Sequence, residues 1–230
     1  LLEHALQLLR QQQPSAWRLE TELELQLALC HTWDTLSSHM GTEVESAYQR
    51  ALEICRQVQN TPHLFRVLWG LHETALYRSD FEQSLALAQQ CLAIAAEAGD
   101  MDLLVQAHHA AWAPYFFLGH YDEARAHMRA GLAIYNAARH EAQGVFYGVH
   151  DPASCALTLA PLAAWQEGKI DLARQQLDAA IAHAANMQLP VSKADGLSYC
   201  ALCCCLLRDP EGARRFAEPA LRIYQERRMA

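Results

Sequence analysis

Five stretches of this chain keep one register, and that register constrains the fold more than any other feature. They are Val44–Leu52, Ser84–Leu92, Ala124–Leu132, Ala173–Ile181 and Ala213–Leu221. Each opens on a small residue or valine and has an apolar residue eight positions on; two further along stand Ile54, Ile94, Ile134, His183 and Ile223. The starts are spaced 40, 40, 49 and 40 residues apart. A period of this size marks stacked supersecondary units, none of which can bury its apolar surface alone.

Turn signals precede the stretches at constant phase. Gly119-His120-Tyr121-Asp122-Glu123-Ala124 is the clearest, with Ser79-Asp80-Phe81-Glu82-Gln83-Ser84 and Gly168-Lys169-Ile170-Asp171-Leu172-Ala173 as counterparts. A Gly or small polar residue ends one helix, an aromatic or aliphatic residue plugs the corner, and acidic residues fall in the next first turn, where the helix dipole favours them. Arg208-Asp209-Pro210-Glu211-Gly212-Ala213 places proline at a helix start. The spacing predicts a leading helix over 1–12 and helical pairs over 17–39 with 42–59, 62–78 with 81–98, 101–118 with 121–138, 152–167 with 170–186, and 190–207 with 210–228. Short links such as Asn60-Thr61-Pro62 and Gly99-Asp100 make neighbours antiparallel. Leu85, Ala88, Leu92 and Ala95 form one apolar stripe at helical spacing. Pro114, Pro161 and Pro219 fall inside predicted helices, where each removes a backbone bond and bends its helix.

Composition agrees. The 230 residues are 52% hydrophobic and 19% charged, which excludes disorder, and Gly (10) and Pro (8) are too few for an all-β fold. The net charge of -8 argues against non-specific nucleic-acid binding, which needs Lys and Arg to neutralise phosphates. Arg214-Arg215 and Arg227-Arg228 read as solvated helix ends. No apolar run is long enough to span a bilayer, and Leu1-Leu2-Glu3-His4 lacks the basic and apolar regions of a signal peptide. The opening residues look like mid-helix, so a piece of a longer protein is expected. Eight cysteines, mostly within apolar helical patterns, read as reduced, buried thiols of a cytoplasmic protein.

The turn Gly119-His120-Tyr121-Asp122-Glu123-Ala124 is similar to that of tetratricopeptide (TPR) repeats. The 40-residue period is longer than usual and resembles the repeat region of large bacterial signalling proteins. In that group a class III cyclase or kinase domain, or a DNA-binding domain, is joined to an AAA/STAND-type ATPase and then to helical repeats. Glu22–Leu29, Glu43–Cys55, Thr61–Leu71 and Tyr147-Gly148-Val149-His150-Asp151-Pro152 with Cys155 carry this resemblance. It runs from Leu1 to Trp165 and more loosely beyond; the Cys-rich 190–207 helix and Pro219 depart from the pattern. It implies an all-α, right-handed α-α superhelix, a TPR-like solenoid of about five hairpins plus one leading helix. It also implies a sensor or scaffold arm attached to a nucleotide-driven switch.

No catalytic constellation emerges. A Gly-rich phosphate loop followed by Lys-Ser or Lys-Thr is missing, as is a Gly-x-Ser-x-Gly elbow; Ser37, Ser38 and Ser154 have no evident base. Cys200 and Cys203 form a Cys-x-x-Cys late in a helix, away from the strand-to-helix junction that redox chemistry uses and without a second ligand pair for zinc. Cys200 and Cys204 instead fall at helix-packing positions. The twelve histidines, His108-His109 among them, form no compact ligand motif, and His72-Glu73 lacks the second His of a zincin helix. No metal, cofactor or enzymatic activity is therefore expected.

Two regions remain as candidate sites. In TPR-like stacks the first helix of each pair lines the concave side, which places Gln26, Trp33, Arg66, Trp69, Glu73, Gln106, His109, Asp195 and Ser198 there. Trp and Arg are favoured binding anchors, and tryptophans also pack between repeats. Residues 139–151 break the period by nine positions and hold Phe146, Tyr147, His150 and Asp151. They form either a longer link or a ligand loop. The expectation is a protein- or peptide-interaction and regulatory module, with a small-molecule sensor like maltose-regulator repeat domains as the alternative. Its partner would be a protein or peptide, including the neighbouring domain of the same chain, or a second copy through exposed terminal repeats. Nucleic acid and membrane are not expected.

Overall fold

The repeat register translates directly into helices in the computed structural model of the protein. The structure describes residues 1–36, 42–58, 61–141, 143, 147 and 150–226, with the side chains of 31, 33–36, 42, 61 and 62 also outside the description. The helices are α1 (Leu2–Arg10), α2 (Ala16–Leu36), α3 (Thr42–Val58), α4 (Thr61–Tyr77), α5 (Phe81–Ala98), α6 (Met101–Phe117), α7 (Tyr121–Ile134), α8 (Ala137–His140), α9 (Pro152–Gln166), α10 (Ile170–Asn186), α11 (Pro190–Leu206) and α12 (Pro210–Glu226). Consecutive helices pack as hairpins: α2 on α3, α4 on α5, α6 on α7, α9 on α10 and α11 on α12. The chain divides into two compact units, Leu1–Asp100 and Met101–Ala230. No helix among the described residues is long and apolar enough to cross a membrane.

Four of the hairpin corners are built identically. Ser79, Gly119, Gly168 and Arg208 adopt left-handed conformations, with φ of 62, 81, 75 and 59°. The next N–H reaches back five residues in each: Asp80 to Ala75 O (2.9 Å), His120 to Tyr115 O (2.9 Å), Lys169 to Ala164 O (2.8 Å) and Asp209 to Cys204 O (2.9 Å). These bonds satisfy carbonyls that the helix end leaves open. Asp80 and Asp209 then cap the following helices, accepting from the N–H of Gln83 (3.1 Å) and Gly212 (2.9 Å).

The buried face of each second helix sharpens the sequence register. Val44, Ser84, Ala124 and Ala173 are buried at the start, and Ala51, Cys91, Gly131, Ala180 and Ala220 are buried seven residues on. The eighth position, read from sequence as the apolar mark, is buried at Leu52 but only half-buried at Leu92, Leu132 and Ile181 and 57% exposed at Leu221. Seven residues complete almost two helical turns, so the seventh lies over the first and the eighth is rotated off the contact line. Small residues there let helices approach closely. A Cβ on Gly131 would stand 2.8 Å from the Trp112 ring, and one on Gly70 of α4 would stand 2.1 Å from Cζ of Tyr48 on α3.

One predicted helix is shorter than expected. The 121–138 helix ends at Ile134, because Tyr135 turns extended (ψ 138°). The Tyr135 hydroxyl donates to Asp151 Oδ1 at 2.5 Å, and the Asn136 N–H donates to His140 Nδ1 at 2.8 Å. The helix thus breaks at Tyr135 and Asn136, and the short α8 starts at Ala137. Pro114, Pro161 and Pro219 do lie within α6, α9 and α12.

Candidate functional site

In the first unit the groove residues are mostly interior. Gln26 on α2 and Trp69 and Glu73 on α4 are buried, and the Trp69 ring meets His72 edge-on at 5.6 Å. Gln26 borders a cleft of about 530 Å³ that includes Arg10, Glu43 and Arg50. Arg66 is half-buried. Trp33, Phe146, Ser37 and Ser38 lie outside the described residues or side chains. Of these residues Trp69 is part of the packed interior and Arg66 keeps part of its surface exposed.

In the second unit the period-breaking segment is tied down at several points. Asp151 is fully buried and caps α9, accepting from Ser154 N–H at 2.7 Å. The same carboxylate accepts from the Tyr135 hydroxyl and stands 2.9 Å from His183 Nε2 on α10; the Asp151 N–H donates to Ser192 Oγ on α11 at 3.2 Å. Burial, followed by the bond to Asp151, holds the Tyr135 phenol well above its ordinary range. Glu141 Oε1 accepts from the N–H groups of Gln188 (2.9 Å) and Leu189 (3.0 Å). His140 Nε2 stands 3.0 Å from Asp102 Oδ1, and Arg139 donates to Asp102 Oδ2 at 2.5 Å; the His140 bond leads in holding the Asp102 carboxyl below its usual value. Asp151, proposed from sequence as a loop residue, is thus the buried knot that fixes the start of α9.

Directly beside that knot, side chains from separate elements converge. His109 of α6 points Nε2 at Nε2 of His150, 3.1 Å away, with the rings nearly perpendicular at 80°. His109 Nδ1 is 3.4 Å from Gln106 Oε1, and the Gln106 amide donates to Gln143 Oε1 at 3.3 Å. The Trp112 indole N–H donates to Cys155 Sγ of α9 at 3.3 Å. His109 is buried, whereas His150 and Cys155 are half-buried, so the cluster sits at the edge of the core. Asp195 of α11 is half-buried within electrostatic range of His150; burial raises its carboxyl pKa and His150 opposes that rise. Ser198, one turn on, spends its hydroxyl on Ala194 O at 2.8 Å, and Tyr147 is half-buried. Of the sequence-derived candidates, Gln106, His109, His150 and Asp195 come together here.

The remaining chemistry-bearing residues read as structural. All eight cysteines are free thiols; Cys200, Cys203 and Cys204 are buried and Cys205 is exposed. Burial pushes the Cys200 thiol up to about 12 and Cys203 up to about 11, far from the thiolate character of a redox pair. His108 and His127 face each other through their Nδ1 atoms at 2.9 Å, and burial lowers both pKa values.

No protein-family model matches this chain. An uncharacterized protein of Rhizobium meliloti (strain 1021) is 29% identical over 201 residues, which cover 85% of this chain and 19% of that protein. The chain thus spans about a fifth of that relative. Among solved structures, apo RapI superposes with a TM-score of 0.73 at 15% identity, over 99% of this chain and 76% of that one. A Rap protein complexed with Competence and Sporulation Factor gives 0.58 at 16% identity, over 98% and 68%. Kinesin light chain TPR-like repeats from Podosopora anserina give 0.56 at 15% identity, over 95% and 100%. The fold is TPR-like. The expected all-α architecture of sequential hairpins is what the TPR-like chain adopts, and such repeats are typically non-catalytic.

Sequence reasoning missed the third partner of the histidine pair. Cys155 was grouped with the other packing cysteines, and His109 and His150 were assigned to a groove and a loop. His109 and His150 are 41 positions apart and Trp112 and Cys155 are 43 apart, short of the 49-residue spacing between these two repeats, so register does not pair them and only the fold of the period-breaking segment brings them together.

Proposed function

We propose that this TPR-like chain is a non-catalytic protein- or peptide-binding module that regulates a larger ATPase- or cyclase-linked signalling protein. The observation that carries the reading is the match to a relative of which the chain spans only 19%, as a repeat arm of a multidomain protein would. The structural likeness to a Rap protein complexed with Competence and Sporulation Factor supports a binding role for the fold. In the first unit Arg66 would offer a half-buried charge beside buried Trp69 and Glu73; in the second, Asp195 would offer one beside buried His109. Partner binding would then bias how the repeats pack on a neighbouring domain, a coupling between two states.

A peptide-library selection on the purified chain tests this, followed by calorimetry of the tightest binders. The reading expects binders of about micromolar Kd that weaken about tenfold, or ~1.4 kcal/mol, with Arg66→Ala or Asp195→Asn. Selection that yields nothing tighter than about 1 mM, or binders indifferent to both substitutions, overturns it.

The meeting of Gln106, His109, His150 and Asp195 in one polar, half-buried cluster supports a second reading, a small-molecule sensor. A thermal-shift screen with nucleotides and sugars separates the two. A shift abolished by Asp195→Asn favours the sensor; no shift alongside peptide binding leaves the interaction module standing.

A further inference from the structure

We propose that His109, His150 and Cys155 form a binding site for a transition-metal dication of the zinc type. Their ligand atoms lie within 4.8 Å of one another, and among the described residues this is the one place where three such donors converge. The two Nε2 atoms are 3.1 Å apart. Two imidazole nitrogens on a tetrahedral zinc, each about 2.05 Å from the metal, stand roughly 3.3 Å from one another. The pair therefore already has the spacing that a shared cation needs.

The surroundings orient the donors. The Gln106 carbonyl faces His109 Nδ1, which places the ring proton on Nδ1 and leaves the Nε2 lone pair toward the cluster. Gln106 is itself oriented by Gln143. A second partner of this kind fixes the tautomer of metal-bound histidine. The Trp112 N–H donates to Cys155 Sγ and holds that sulfur in place beside the pair. His150 and Cys155 flank the capped start of α9, so the buried Asp151 holds their spacing. Their partial exposure leaves a way in for the ion. Water supplies the fourth position, with the Asp195 carboxylate as a nearby negative charge. Imidazole and thiolate donors select zinc, cobalt and copper over magnesium or calcium. Binding would clip α6 to the start of α9 within the second unit.

Cobalt(II) titration of the reduced, chelator-treated chain reads the site directly, because a thiolate ligand gives a cobalt charge-transfer absorption. The proposal expects one equivalent bound, displaced by zinc, with that absorption abolished by Cys155→Ser. It expects affinity to fall at least about tenfold in His150→Ala and about 10- to 100-fold in Gln106→Leu. Zinc at about a hundredfold excess over its Kd should raise the Tm of the wild-type chain by about 5 °C and leave Cys155→Ser unmoved. His150 lies outside any helix, so His150→Ala remains informative if Cys155→Ser fails to fold. Binding that survives His150→Ala and Cys155→Ser overturns the proposal, as does no cobalt binding tighter than about 100 μM at neutral pH. The histidines would then share only a hydrogen bond.

Discussion

His72 on α4 is fully buried with Nδ1 2.8 Å from Ser84 Oγ and 3.2 Å from Ser84 O on α5. Ser84 occupies the small-residue position that alanine fills in the next two repeats, so this hydrogen bond stands where the others have only packing. Burial lowers the His72 pKa from 6.5 to about 4. The folded state therefore keeps the imidazole neutral while the unfolded chain protonates it near its ordinary value. Stability is complete above about pH 6.5 and declines as pH falls toward 4, by up to about 3 kcal/mol. Burial lowers His108 and His127 in the same direction, so they add to the slope. Urea midpoints from pH 7.5 to 4.5 should decrease, and His72→Gln should flatten the profile whatever its effect at neutral pH. A profile as steep in His72→Gln as in the wild type would remove His72 as a cause.

Most of the fold was legible because local chemistry and long-range packing point the same way. The corner glycines, acidic first turns and Pro190 and Pro210 mark helix ends that the structure keeps within a few residues. Legibility failed where tertiary bonds override local preference. Residues 135–138 continue a helical pattern, yet Tyr135 leaves it for a carboxylate 16 positions away. The groove was harder still. Helical register places Trp69 on the correct helix but says nothing of how deeply a neighbour covers it, and the structure buries it to 3% exposure. The histidine–cysteine cluster was hidden because its members lie on α6, before α9 and on α9, and the segment that breaks the repeat period lies between them.

Ser79 and Arg208 hold left-handed conformations that glycine provides at Gly119 and Gly168. A side chain costs about 1 kcal/mol in that region, and glycine loses part of the gain to its freer unfolded chain. Arg208→Gly should stabilise the chain by about 0.5 kcal/mol, and Ser79→Gly similarly. The same change at an exposed helical site such as Arg214 should destabilise by about 1 kcal/mol. Equilibrium urea unfolding of the three variants checks the opposite signs.

Gly70 lies within α4, where alanine would ordinarily stabilise by about 1 kcal/mol. Here the Tyr48 ring occupies the space a Cβ would need. Gly70→Ala should destabilise by about 1–3 kcal/mol, as overpacking does. In the Tyr48→Ala background the same substitution should become neutral or stabilising. A double-mutant cycle by thermal or urea unfolding measures the coupling; additive effects would show that α3 and α4 can shift apart freely.

Glu22 and Arg50 form a forked pair between α2 and α3, with bonds of 2.7 and 3.1 Å, and their burial is unequal. The Glu22 side chain is 3% exposed and that of Arg50 33%, and Arg50 also reaches Glu53 at 3.0 Å. Loss of the carboxylate leaves a guanidinium with water and another partner. Loss of the guanidinium strands a buried carboxylate. Glu22→Gln should therefore cost about 1 kcal/mol and Arg50→Ala about 3 kcal/mol at neutral pH. The difference should depend on pH. The bond to Arg50 leads in lowering the Glu22 pKa, while burial acts to raise it. The intact pair thus contributes stability above the ordinary glutamate range and loses it as pH falls through the depressed value. In Arg50→Ala burial is opposed only by the weaker attraction of Arg18 and Arg10, so Glu22 takes up a proton more readily than in the intact pair and the penalty shrinks on acidification. Unfolding midpoints of wild type, Glu22→Gln and Arg50→Ala at pH 7 and about pH 4.5 should show the Arg50→Ala deficit narrowing, whereas a constant deficit would mean that lost side-chain packing dominates.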